Sequence, residues 1–303
     1  MAPGADVRGD EPMPRLGDYR FILDTVVFVY RNQQQAAEGR KAGGTGFFVT
    51  VPSARAPATF HHVYVVTNVH VTRDEARTLR VNTRDGGVDL LTVHDWVSLA
   101  DGPDVAVAPV VLDPNHHVVE AFRSDSWLLT QEEFSRHEID AGDDVLMVGR
   151  FIDYDGVQTN RPSLRFGHIS MKAANIRQNA TGYNGPSFVV DMHSRSGYSG
   201  SPVFVYRTHG SIFAKQGSIV GGGHLMKLLG IHWGQFPERW ELSGRAPSAE
   251  DADPAEAELI VDGQYVRGLS GMTCVVPAWE ILRTLAEPRL LDLRARAEAT
   301  LPT

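Results

Sequence analysis

The 303-residue chain, 42% hydrophobic and 22% charged, is long enough for one large core or two moderate ones and has an ordinary globular composition. Its formal net charge of −8 excludes a general binder of nucleic acid or anionic membrane, which would need a basic face. The single cysteine, Cys274, excludes an intrachain disulfide, and no stretch reaches the ~18 apolar residues of a membrane-spanning helix.

Residues 1–18 are rich in Pro, Gly and Asp and read as a disordered leader. Charges and prolines over Met1–Tyr19 stand where an export signal needs an uninterrupted apolar run. That predicts a cytoplasmic location, or a secreted one if the N-terminus is incomplete. From residue 19 onward, short β-branched runs are broken by Gly, Pro, Asn and Asp, the pattern of an all-β protein. Thr25–Tyr30, Gly46–Val51, His62–Thr67 and Asp104–Val111 are predicted strands of a first barrel over 19–112. Residues 113–144 form a connector with a helical turn at Gln131–His137. Val145–Gly149, Ser187–Asp191, Pro202–Tyr206, Lys227–Trp233 and Met272–Val276 are predicted strands of a second barrel over 145–276. Within it, the polar and acidic stretch 243–258 reads as a mobile surface loop. Pro277 stands at a good first helical position, with Ile281, Leu282 and Leu285 at helical spacing, so 277–303 are a short C-terminal helix and tail. The pairs His61–His62 and His116–His117 lack zinc-type spacing and read as surface or strand-edge histidines. Neither a metal nor a cofactor is expected.

Three segments carry chemistry. Gly197-Tyr198-Ser199-Gly200-Ser201-Pro202 runs directly into an apolar strand. A serine nucleophile must protrude from a tight turn with backbone N–H groups on the side of its hydroxyl, and the preceding glycine permits that backbone conformation. Val65-Val66-Thr67-Asn68-Val69-His70-Val71 is an apolar strand leading into a histidine. Asp104-Val105-Ala106-Val107-Ala108 puts an aspartate at the head of a strand after a Gly-Pro turn. Each has a bland alternative: a Gly/Ser-rich turn, a core-edge histidine, a strand cap.

Together, in the order His, Asp, Ser, these segments resemble the trypsin-like serine peptidases of bacterial type. Gly44-Thr45-Gly46-Phe47-Phe48-Val49 looks like that family's strand before the histidine, and Val148-Gly149 with Gly167-His168-Ile169-Ser170 like its second-barrel strands. The resemblance implies two six-stranded antiparallel β-barrels, chymotrypsin-like, with a short C-terminal α-helix. It implies Ser199 as nucleophile, His70 as general base, Asp104 as the group orienting His70, and an oxyanion hole from the N–H groups of Gly197 and Ser199. The partner implied is a protein or peptide substrate, with no nucleic acid and no membrane.

Leu229-Gly230-Ile231-His232-Trp233-Gly234 is similar to the staphylococcal V8-type glutamyl endopeptidases. In that family a histidine on the S1-lining strand and a hydroxyl five positions before the nucleophile bind the substrate glutamate; the corresponding residues are His232 and Ser194. Trp233 and Gly234 would pair with the substrate backbone, and Gly271 would leave one pocket wall open. His193 and Arg195 would add positive potential. The stretch between Ser199 and His232 is longer than in that family, with an added hairpin at 207–223. Tyr198 occupies the place where digestive zymogens carry an aspartate, so their activation switch is not expected. The second reading, from a different class, is a partner-gated or non-catalytic peptidase-fold protein that binds a regulatory partner.

Overall fold

The computed structural model describes residues 21–39, 43–73, 76–118, 120–154, 156, 158–207, 225–241 and 265–301. The leader 1–18, the loop 243–258 and all but the first residue of the hairpin 207–223 lie outside the described residues.

The fold is all-β, with two sheet halves and short C-terminal helices. The first half holds β1 (Val26–Tyr30), β2 (Gly44–Pro52), β3 (His61–Thr67), β4 (Thr78–Asn82), β5 (Val88–Thr92) and β6 (Ala106–Pro109). They pair antiparallel in the order β5-β4-β1-β2-β3-β6. A seventh strand, β7 (Phe122–Arg123), lies parallel beside β2. The expectation of six antiparallel strands therefore missed a two-residue parallel strand, too short to leave a periodic signal in sequence. Short helices α1 (Phe21–Asp24), α2 (Gln33–Ala37) and α3 (Val69–Thr72) punctuate this half.

The second half is a closed barrel of β8 (Asp144–Gly149), β9 (Ser163–Arg177), β10 (Asn184–Asp191), β11 (Pro202–Arg207), β12 (Leu225–Glu241) and β13 (Tyr265–Pro277), closing as β10-β13-β12-β11-β8-β9. Between the halves, α4 (Gln131–Arg136) starts at a capping box of Thr130 and Glu133, which satisfies its first N–H groups. Apolar side chains of both halves meet in one core. Phe122 from the first half stacks at 5.1 Å on Phe204 of β11, with the rings close to edge-on, the favoured aromatic geometry.

The C-terminus departs from expectation. Pro277 is the N-cap of α5 (Ala278–Leu285), not its first helical residue, because its backbone still belongs to the β13 ladder. The tail forms a second helix, α6 (Pro288–Ala299), started by Pro288 with the Glu287 side chain capping Arg289 N–H. α6 returns to the first half: Glu298 pairs with His62 Nε2 at 2.9 Å, and Arg294 donates to the Tyr64 hydroxyl at 3.1 Å.

Candidate active site

β3 ends at Thr67, and the chain turns through Asn68 into the single turn α3, which presents His70. Asp104 arrives ahead of β6 with its side chain wholly buried. Its Oδ1 accepts the His70 backbone N–H at 3.0 Å and its Oδ2 lies 2.5 Å from His70 Nδ1. An ionised carboxylate only accepts, so this contact puts the imidazole proton on Nδ1 and leaves Nε2 as a lone pair. Asn68 Nδ2 donates to the Asp104 carbonyl at 2.7 Å, and the Asp104 N–H donates to Gln178 Oε1 at 2.6 Å.

The turn Gly197–Ser201 comes from the second half. Gly197 and Gly200 have φ of +98° and +87°, conformations that side chains disfavour. Tyr198 is buried beneath the turn, its hydroxyl bonded to Ser163 and to Arg165 Nε. The Gly200 N–H is bonded to the His232 carbonyl at 3.0 Å and the Tyr198 N–H to the Arg195 carbonyl at 3.3 Å. Among the described residues, no backbone carbonyl takes the N–H groups of Gly197 and Ser199. Ser199 and His70 line one cleft of about 410 Å³, together with Gly43, Val71, Arg73 and Gly197. The structure forms no direct hydrogen bond between the Ser199 hydroxyl and the His70 ring. Such contacts often tighten only with substrate bound.

Ser194 and His232, predicted as a pair, do meet: Ser194 Oγ lies 2.8 Å from His232 Nε2, with both residues buried. His232 Nδ1 faces the Cys274 carbonyl at 3.3 Å. A carbonyl cannot donate, so Nδ1 holds the proton and Nε2 accepts from Ser194. Burial disfavours a second proton and pushes the imidazole down to about 4. Trp233 sits in a β12 bulge that shifts the register to β13, and Gly234 follows it opposite Cys274. The Trp233 indole donates to Ser187 Oγ at 3.2 Å, while a side chain at Gly234 would meet open space. Gly271 sits across the ladder with φ +80°, and a Cβ there would lie 3.3 Å from the exposed His193 ring. It therefore stands beside His193 and Asp191. Arg195 is turned toward Asp153 at 4.0 Å.

Asp89, His116 and His117 cluster closely enough to suggest a metal ligand set. His117 Nδ1 accepts the Asp113 N–H at 3.0 Å, so its proton sits on Nε2, which faces Asp89 at 3.1 Å. That tautomer directs no lone pair at an ion. Sequence reasoning missed three residues of the site. Thr45 was visible between two glycines but was read only as strand, Asn68 only as part of the run into His70, and Gln178 carried no local signal.

A family model described as Trypsin-like peptidase domain matches residues 44–213, more than half of the chain. No curated protein matches the chain. Among solved structures, the apo MamO protease domain from Magnetospirillum magneticum is similar at a TM-score of 0.51 and 17% identity, covering 89% of this chain and 100% of that one. The inactive form of the Rv3671c protease from M. tuberculosis gives 0.44 and 16%, over 88% of this chain and 89% of that one. The HtrA-type protease AlgW with a tripeptide gives 0.43 and 18%, over 88% of this chain but only 61% of that one.

Proposed function

Because this chain belongs to the trypsin-like peptidase domain family, we propose that it is a serine endopeptidase acting through Ser199, His70 and Asp104. The observation that carries this reading is the buried Asp104 carboxylate with both oxygens on His70, in the half opposite a serine that shares the cleft with that imidazole.

His70 Nε2 takes the proton from Ser199 Oγ as the oxygen attacks the scissile carbonyl carbon. The carbonyl π electrons move to the oxygen, and the N–H groups of Gly197 and Ser199 stabilise that oxyanion. Asp104 stabilises the imidazolium without taking its proton. When the tetrahedral centre collapses, the C–N bond breaks and His70 passes its proton to the leaving amine. Water, deprotonated by the same nitrogen, then hydrolyses the acyl-enzyme and restores Ser199. Labelling by a fluorophosphonate tests this: wild type should be labelled and Ser199→Ala should not.

Ser194 and His232 are proposed as the acid-recognising pair, as in the V8-type resemblance, giving a preference for Glu or Asp at P1. Their bonding adds a condition. In the resting tautomer the Ser194 hydroxyl donates to His232 and the ring donates to Cys274. A substrate carboxylate must turn the hydroxyl toward itself and recruit a proton onto Nε2, which its own charge favours. Trp233 and Gly234 are proposed as the strand edge that pairs with substrate, and Gly271 as a pocket wall beside His193. The second reading, a partner-gated protein, draws on the missing contact between Ser199 and His70. Labelling only when a partner is added would favour it.

A further inference from the structure

The long β9–β10 hairpin of the second half ends in a tight turn at residues 178–183. The Gln178 N–H donates to the Tyr183 carbonyl at 2.8 Å, and the Gly182 N–H donates to the Gln178 carbonyl at 2.8 Å. The backbone of Gln178 is thereby held at the base of the turn. Its side chain is wholly buried and leaves its own half, reaching the Asp104 N–H. An N–H only donates, so the amide must present its oxygen to Asp104. The same turn grips the first half again, where Arg73, the C-cap of α3, donates to the Ala180 carbonyl. Both grips fall on the segments that carry His70 and Asp104.

We propose that Gln178 is a positioning residue for Asp104, referencing the His70–Asp104 pair to the barrel that carries Ser199. Asp104 has four polar atoms. Three of them are bonded within residues 68–70: its carbonyl to Asn68, Oδ1 to the His70 N–H, and Oδ2 to the His70 ring. Those bonds hold Asp104 and His70 to each other but leave the pair free to shift as a unit against the opposite half. Gln178 supplies the fourth bond, and it comes from that half. The side chain also carries a cost. Among the described residues Gln178 Nε2 is buried without a hydrogen-bond partner, whereas an apolar chain would fill the space without a stranded donor. The oxygen's bond to Asp104 is what the amide provides in return. The inference rests on the reading of Asp104 as the group that orients His70.

Two variants test it. Gln178→Met keeps the length and removes the acceptor; Gln178→Asn keeps the amide one methylene short. In both, kcat should fall about tenfold or more with KM little changed, as for a small misplacement of a reacting group. By proton NMR, the His70 Nδ1–H resonance should also move upfield from its wild-type position, because its bond to a misaligned Asp104 oxygen weakens. A purely structural role would lower Tm and leave kcat per active site and the His70 Nδ1–H resonance where they are. That result in both variants overturns the proposal. The NMR resonance requires no turnover, so it judges Gln178 even if fluorophosphonate labelling rejects the peptidase reading.

Discussion

Thr45 donates its backbone N–H to the Ser199 carbonyl at 2.8 Å, bonding the serine turn of the second half to strand β2 of the first. The Thr45 hydroxyl donates to the Gly197 carbonyl at 2.6 Å and accepts the Arg150 N–H at 3.0 Å. Glycine is required where the turn crosses: a Cβ on Gly200 would lie 2.0 Å from the Thr45 carbonyl oxygen. The turn takes its shape from both halves, so the cleft lies at their junction.

Thr45→Val removes the hydroxyl at nearly constant volume and leaves the buried Arg150 N–H without it. Stability should fall by about 1–3 kcal/mol in denaturant unfolding. If the Gly197 carbonyl bond also aims the neighbouring N–H groups, kcat should drop roughly tenfold. Lowered stability with unchanged kcat would confine the bond to packing.

His232 predicts a pH dependence of stability. Burial holds it down to about 4 in the folded chain, against roughly 6.5 for a free imidazole. Between those values the unfolded chain binds more protons, so stability rises with pH. The contribution is complete above about pH 6.5 and is lost as the pH falls toward 4, about 3 kcal/mol in all at ~1.36 kcal/mol per unit. His232→Gln should flatten the unfolding profile across that window. Profiles parallel to wild type would mean His232 is not held neutral by the fold.

The same proton arrangement governs the pocket. Peptides matched except for Glu or Gln at P1 share every demand on His70, so the ratio of their kcat/KM values isolates the Ser194–His232 pair. That ratio should rise from pH 7 to pH 5 as proton uptake onto Nε2 becomes easier, and Ser194→Ala should abolish the rise. A flat ratio in wild type removes these residues from acid recognition.

Much of this was legible from local patterns. β-branched runs marked most strands, and the glycines around Ser199 marked a turn whose positive φ values require them. Ser194 and His232, 38 residues apart, were paired through resemblance and do meet. The second terminal helix had a readable start in Glu287-Pro288, but its amphipathic pattern is weak because only Leu290 and Glu298 are buried. Gln178 could not have been found this way. It acts across 74 residues through a contact that exists only once both halves have closed. Gly271 was read as an open pocket wall; its positive φ and its place beside His193 are features that no local sequence pattern showed.

The central claim is best tested by incubating the protein and its Ser199→Ala variant with a diverse peptide library and reading cleavage sites by mass spectrometry. The account predicts internal cleavage, enriched after Glu and Asp, by the wild type and none by the variant. Equal cleavage by both proteins, or none by a wild type whose Ser199 also resists a fluorophosphonate, would contradict it.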